Sequence, residues 1–102
     1  GIESKEAKDL LKRGIEYAGH GRMDSACELW GQARNLAPAS YALLYNLGVC
    51  AESRGDLDAA LNLYRQSDKI LGKPDDDITL ALSRVGEAIK NRGKIKEALG
   101  GK

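Results

Sequence analysis

Residues 44–64 read LYNLGVCAESRGDLDAALNLY, and this stretch decides the fold. Apolar and small residues recur in it at three- and four-residue spacing, the period of an α-helix with one buried face. Arg54-Gly55-Asp56 interrupts the pattern, and Gly55 supplies the backbone freedom for a sharp turn. The stretch predicts two helices joined tightly. The same signature stands 34 residues earlier, where Gly14 answers Gly48, Gly21 answers Gly55, Ala26 answers Ala60 and Trp30 answers Tyr64. A shifted copy follows 38 residues on, with Leu82, Gly86, Gly93 and Ala98 answering Leu44, Gly48, Gly55 and Ala60. Self-similarity of this period marks stacked helical pairs, because one pair cannot bury its apolar face without a neighbour.

Extended outward, the periodicity predicts six helices. The first carries Ala7, Leu10, Leu11, Gly14, Ile15 and Ala18 on one face and stops near Gly19-His20-Gly21. The second presents Met23, Ala26, Cys27, Trp30 and Ala33, with Asp24 or a neighbour as its cap, and Pro38 forbids its continuation. Ser40 is the expected N-cap of the third, which carries Tyr41, Leu44, Tyr45, Leu47, Gly48 and Ala51. The fourth shows Leu57, Ala60, Leu61, Tyr64, Ser67 and Leu71 and ends at Gly72-Lys73-Pro74. Asp75, Asp76 and Asp77 open the fifth, where negative charge suits the helix dipole. The fifth uses Ile78, Leu82, Val85, Gly86 and Ile89 and breaks at Arg92-Gly93. A short sixth starts at Lys94 and shows Ile95, Ala98 and Leu99. Gly14, Gly48 and Gly86 fall mid-helix, where each costs ~1 kcal/mol relative to Ala. Three such positions in register predict three close helix contacts, with Trp30 and Tyr64 filling the space beside the first two.

These residues resemble the tetratricopeptide repeat (TPR) family, whose unit is a helical pair with Leu-Gly and an aromatic in its first helix. Its second helix has a small Ala, an aromatic and another Ala, and Pro follows. The second copy resembles it in Leu44, Leu47-Gly48, Ala60 and Tyr64, and departs at Ala51 and Ser67. The first resembles it in Leu10, Gly14, Tyr17, Ala26, Trp30, Ala33 and Pro38, and departs at Arg13. The third shares Leu82, Val85-Gly86, Ile89 and Ala98, then stops before its aromatic. The resemblance covers roughly residues 7 to 99. It implies an all-α fold, a right-handed α-solenoid of antiparallel helical hairpins. Residues 1–102 then form one domain, with two full repeats at about 7–40 and 41–74 and a truncated third at 79–102.

The family's first helices line a concave groove, so the resemblance implies a protein–protein interaction module. Its groove positions fall on Leu11, Ile15, Tyr45, Asn46, Val49, Leu80 and Arg84, among others. Asn46 and Arg84 occupy two of the five positions of the carboxylate clamp by which co-chaperone members grip an acidic peptide tail. Leu11, Ile15 and Leu80 fill the other three, which removes the clamp's other two cations and most of its charge-assisted hydrogen bonding. Apolar anchoring of a peptide or partner helix by Leu11, Ile15, Tyr45 and Val49 is the favoured expectation. The alternative is an intramolecular scaffold whose groove is covered by a flanking helix, or self-association. In the latter, the short sixth helix leaves the fifth uncovered and the C-terminal end pairs with a second copy as a homodimer.

Composition narrows the field further. Charged residues are 30% of the 102, yet the net charge is +1, without the basic excess of a nucleic-acid binder. Lys90, Arg92, Lys94 and Lys96 read as a solvated face. No apolar run reaches the ~20 residues of a membrane span, so no membrane insertion is expected of this segment. The start at Gly1-Ile2-Glu3 points to a processed or excised fragment, which leaves the compartment open. Cys27 and Cys50 form no metal motif and read as buried free thiols. His20, the sole histidine, lies between glycines with no nucleophile or orienting carboxylate placed around it, and reads as a loop residue. Asp75-Asp76-Asp77 lacks the alternating ligands of a calcium loop, and Gly19-His20-Gly21 lacks the rest of a phosphate loop. The expectation is a non-enzyme with no cofactor.

Overall fold

The computed structural model describes residues 4–100, and all regular structure among them is helical. Five helices follow one another: α1 (Lys5–Gly19), α2 (Met23–Leu36), α3 (Tyr41–Ser53), α4 (Leu57–Leu71) and α5 (Asp76–Gly100). A helix start leaves backbone N–H groups without partners, and short polar side chains accept from them. Ser4 accepts from the Ala7 N–H at 3.2 Å, Ser40 from Leu43 at 3.2 Å, Asp56 from Ala59 at 3.2 Å and Asp75 from Ile78 at 3.0 Å. The expected cap of α2 does not form. Arg22 holds the N-cap position without a side-chain bond, and Asp24 contributes only its charge in the first turn. Here the α1–α2 turn does the tying: the Arg22 N–H donates to the Tyr17 carbonyl at 2.9 Å, and Gly21 sits at φ 77°. Gly55 repeats that turn at φ 78° between α3 and α4.

Each helix packs on the next in sequence, α1 on α2, α2 on α3, α3 on α4 and α4 on α5. Two buried clusters result. Leu10, Ala26, Trp30, Ala33, Leu43 and Cys50 form the first, and Ala51, Ala60, Tyr64, Ala81 and Val85 the second. Adjacent residues of α3, Cys50 and Ala51, belong to different clusters, so α3 is apolar on both sides because it is covered on both sides.

Two of the three mid-helix glycines are close contacts, as expected. A Cβ added at Gly14 meets Trp30 Cδ1 at 2.6 Å, and one at Gly48 meets Tyr64 Cδ1 at 2.7 Å. Each buried ring lies on a bare stretch of helix and finds a partner for its polar end. The Trp30 indole N–H donates to the Leu11 carbonyl at 3.2 Å, and the Tyr64 hydroxyl to Glu52 Oε1 at 2.8 Å.

Three expectations are corrected. α5 runs without a break through Arg92-Gly93, so the expected sixth helix is the C-terminal end of α5; its last two residues lie outside the described ones. Gly86 makes no close contact, for a Cβ there meets nothing within 4 Å. One residue accounts for both. The third copy has Lys102 where the others have Trp30 and Tyr64, so no ring anchors a returning helix on Gly86. Lys94 to Leu99 are mostly good helix formers and simply extend α5. Finally, Cys27 and Cys50 are not free thiols. They form a disulfide between α2 and α3 with Cα atoms 5.9 Å apart, within the span that such a bond bridges.

Candidate functional site

The helical spacing of α3 puts Tyr45, Val49 and Glu52 along one side, on the same face one turn after another. α5 faces that side with Ile78, Ala81 and Val85 buried beneath and Arg84 at the rim. Arg84 grips Glu52 with both arms of its guanidinium, Nε donating to Oε2 at 2.6 Å and Nη2 to Oε1 at 2.8 Å. Bidentate pairing of this kind fixes orientation as well as charge. The same Oε1 accepts the Tyr64 hydroxyl, so Glu52 joins α3, α4 and α5 at one carboxylate.

The electrostatics follow from that arrangement. Hydrogen bonds from Arg84 hold the Glu52 carboxyl below the usual carboxylate range, against the opposing effect of burial. Burial first, and then its bond to Glu52, pushes the Tyr64 phenol well up. Glu52 likewise raises Arg84, which stays charged. The Tyr45 ring leans on Tyr64 with centroids 5.5 Å apart and planes at 43°. Partial burial, followed by the charge of Asp77, raises the Tyr45 phenol.

Beside Tyr45 lies a concavity of about 190 Å³ between α3 and the start of α5, lined by Tyr41, Tyr45, Asn46, Asp75, Asp77 and Ile78 among others. Two phenol rings and two carboxylates around an apolar floor suit a side chain with an apolar stem and a cationic or donor end. A second concavity, about 220 Å³, lies on α1 between Arg13, Glu16, Tyr17 and His20. Arg22 lies over the Tyr17 ring there, 5.8 Å from its centroid.

The seven expected groove residues differ in exposure and in what they touch. Tyr45 and Asn46 line the α3–α5 concavity. Tyr45 and Val49 are half-buried against the second core cluster, and Leu11 is half-buried against the first. Ile15 on α1 and Leu80 on α5 are the exposed apolar ones, at 53% and 63%, and Arg84 is exposed as well. Arg84 is engaged by Glu52, so a carboxylate arriving from outside competes with an internal one.

Sequence reasoning missed the Glu52–Arg84–Tyr64 network and the place of Asp75 and Asp77 in the concavity. Glu52 and Arg84 are 32 residues apart, and only the packing of α5 beside α3 brings them together. Opposite charges on the exposed rims of two neighbouring first helices were the available signal. Among the described residues no three His, Cys, Asp or Glu side chains converge as a metal site, and no helix is long and apolar enough to cross a membrane. The chain matches no family model, no curated protein and no solved structure.

Proposed function

We propose that this chain is a TPR-like α-solenoid acting as a non-catalytic protein–protein interaction module, which takes a peptide or partner helix through apolar anchors. The observation that carries the reading is the repeated ring-on-glycine contact, Trp30 on Gly14 and Tyr64 on Gly48, at the same place in two successive helix pairs. That contact is the packing device the family's sequence pattern encodes. It supports stacking of equivalent pairs, the arrangement that produces an extended binding surface. Exposed Ile15 and Leu80, with the tyrosine-lined concavity between α3 and α5, supply anchor points of the kind peptide grooves use.

The test is selection from a displayed random-peptide library. Tyr45 and Val49 pack on the core, so charging them mixes folding with binding; Ile15 and Leu80 are the cleaner sites. Enriched peptides should carry apolar residues and bind Ile15→Glu/Leu80→Glu at least about tenfold more weakly. Failure of any sequence to enrich, or equal affinity for the folded double variant, sinks the groove reading. A second reading, self-association through the C-terminal end, is favoured by the exposure of Ile95 and Leu99 on α5.

A further inference from the structure

The concavity between α3 and the start of α5 is lined by Tyr41, Tyr45, Asn46, Asp75, Asp77 and buried Ile78. At about 190 Å³ it is smaller than the roughly 300–1,000 Å³ of pockets that enclose a whole small molecule, and it suits one long side chain. Its charge is one-sided. α3 has Glu52 and no basic residue, and residues 74–83 hold three aspartates and no basic residue, although the whole chain stands at +1. Arg84, the next cation along α5, is matched by both oxygens of Glu52. Among the described residues neither Asp75 nor Asp77 forms an ion pair. Asp75 gives one oxygen to the Ile78 N–H at 3.0 Å, which caps α5. That helix start carries roughly half a positive charge, too little to offset three carboxylates. The Tyr45 phenol registers the same field: burial raises it first, then Asp77, with Arg84 opposing.

We propose that this concavity receives an arginine side chain of a protein partner. Arginine fits it better than lysine. A planar guanidinium stacks on phenol rings, takes a carboxylate through two parallel hydrogen bonds and sheds water more easily than an ammonium. Tyr41 and Tyr45 supply the rings, Ile78 the apolar surface for the methylene stem, and Asp77, on the exposed side, the carboxylate. Leu80, also exposed, lies three residues beyond Asp77 on the same side of α5, so an apolar neighbour of the arginine lands on it. The site rests on the peptide-binding reading and adds one charged anchor to its apolar ones.

The probe is acetyl-arginine-methylamide, followed through the backbone amide NMR shifts of the folded protein. Saturable shifts are expected at Asn46, Asp77 and Ile78, with a Kd of about 1 mM, the scale of a single side chain. The citrulline counterpart, similar in shape but uncharged, should bind at least about fivefold more weakly. Asp77→Asn leaves the cap to Asp75, and Tyr41→Leu removes an exposed ring. Each should keep the helical circular dichroism and weaken the probe at least about fivefold. Peptides enriched from the displayed library should carry an arginine beside their apolar residues, and replacing it with citrulline should weaken them about tenfold. A saturating probe with an empty library upholds the site and sinks the peptide groove. Peptides enriched without arginine keep the groove and sink the site. Absent shifts, equal binding of citrulline, or a probe indifferent to both substitutions likewise overturn the proposal.

Discussion

Gly48 and Gly86, both mid-helix and 38 residues apart in the sequence, have opposite surroundings. At Gly48 a methyl group collides with the fully buried Tyr64 ring, 2.7 Å from Cδ1, so the ring or the helix must shift. Gly48→Ala is expected to cost about 1–3 kcal/mol, the range of overpacked cores. At Gly86 the methyl meets nothing, so Gly86→Ala gains up to ~1 kcal/mol of helix propensity. Urea unfolding of the two variants should move in opposite directions, and a shift of the same sign in both contradicts the ring contact at Gly48 or the open space at Gly86. Glu52 gives a second residue-scale test. Its carboxyl is held below the ordinary range by Arg84, so the folded state favours the ionised form. Stability from this source is present above the ordinary carboxylate range and lost as pH falls through the lowered folded value. Wild type should exceed Glu52→Gln by about 1 kcal/mol at neutral pH, and the gap should close in acid. A gap that is constant with pH means that the Arg84 contact is not made in solution.

Among the elements, the starts of α1, α3, α4 and α5 sit where a serine or aspartate can cap them. Of these, Ser40 is legible in the chain because capping is a local interaction; the aspartates at the start of the fifth helix are expected for their charge, and Asp75 adds the cap. α5 is not legible in this way. Whether Gly93 turns or stays helical depends on whether a ring holds the returning segment, and that is a contact between helices. The candidate site divides along the same line. Periodicity and the family resemblance place Tyr45, Asn46 and Val49 on α3, but the pairing of Glu52 with Arg84 exists only once α5 docks. The disulfide escaped for a related reason. Each cysteine fits its own helix as a small apolar residue, and only the contact of α2 with α3 makes them partners. Closing a loop over 23 residues stabilises the fold by roughly 3 kcal/mol in the chain-entropy account. Thermal melts with and without reductant should differ accordingly, with two titratable thiols appearing in the reduced sample. An unchanged melt once both thiols are free contradicts that contribution. Such a bond persists only where thiols are not kept reduced.

The whole molecule is elongated, 55 × 30 × 21 Å, and each helix contacts the next in sequence. Its two clusters meet in α3, but its seams differ in kind. α2 and α3 are joined covalently, whereas α4 and α5 are held by apolar packing and the exposed Arg92–Asp58 pair at 3.3 Å. The difference becomes mechanical when the chain is pulled from its two ends. Force can strip α5 from its neighbours and lengthen the chain freely. The segment between the sulfurs, however, is out of the load path, and the tension passes through the sulfur–sulfur bond instead. At ~3.5 Å per stretched residue, the oxidised protein reaches full extension roughly 75 Å short of the reduced one. Single-molecule pulling in the presence of reductant should show that length released in one step, with α2 and α3 unravelling only after the bond is cut.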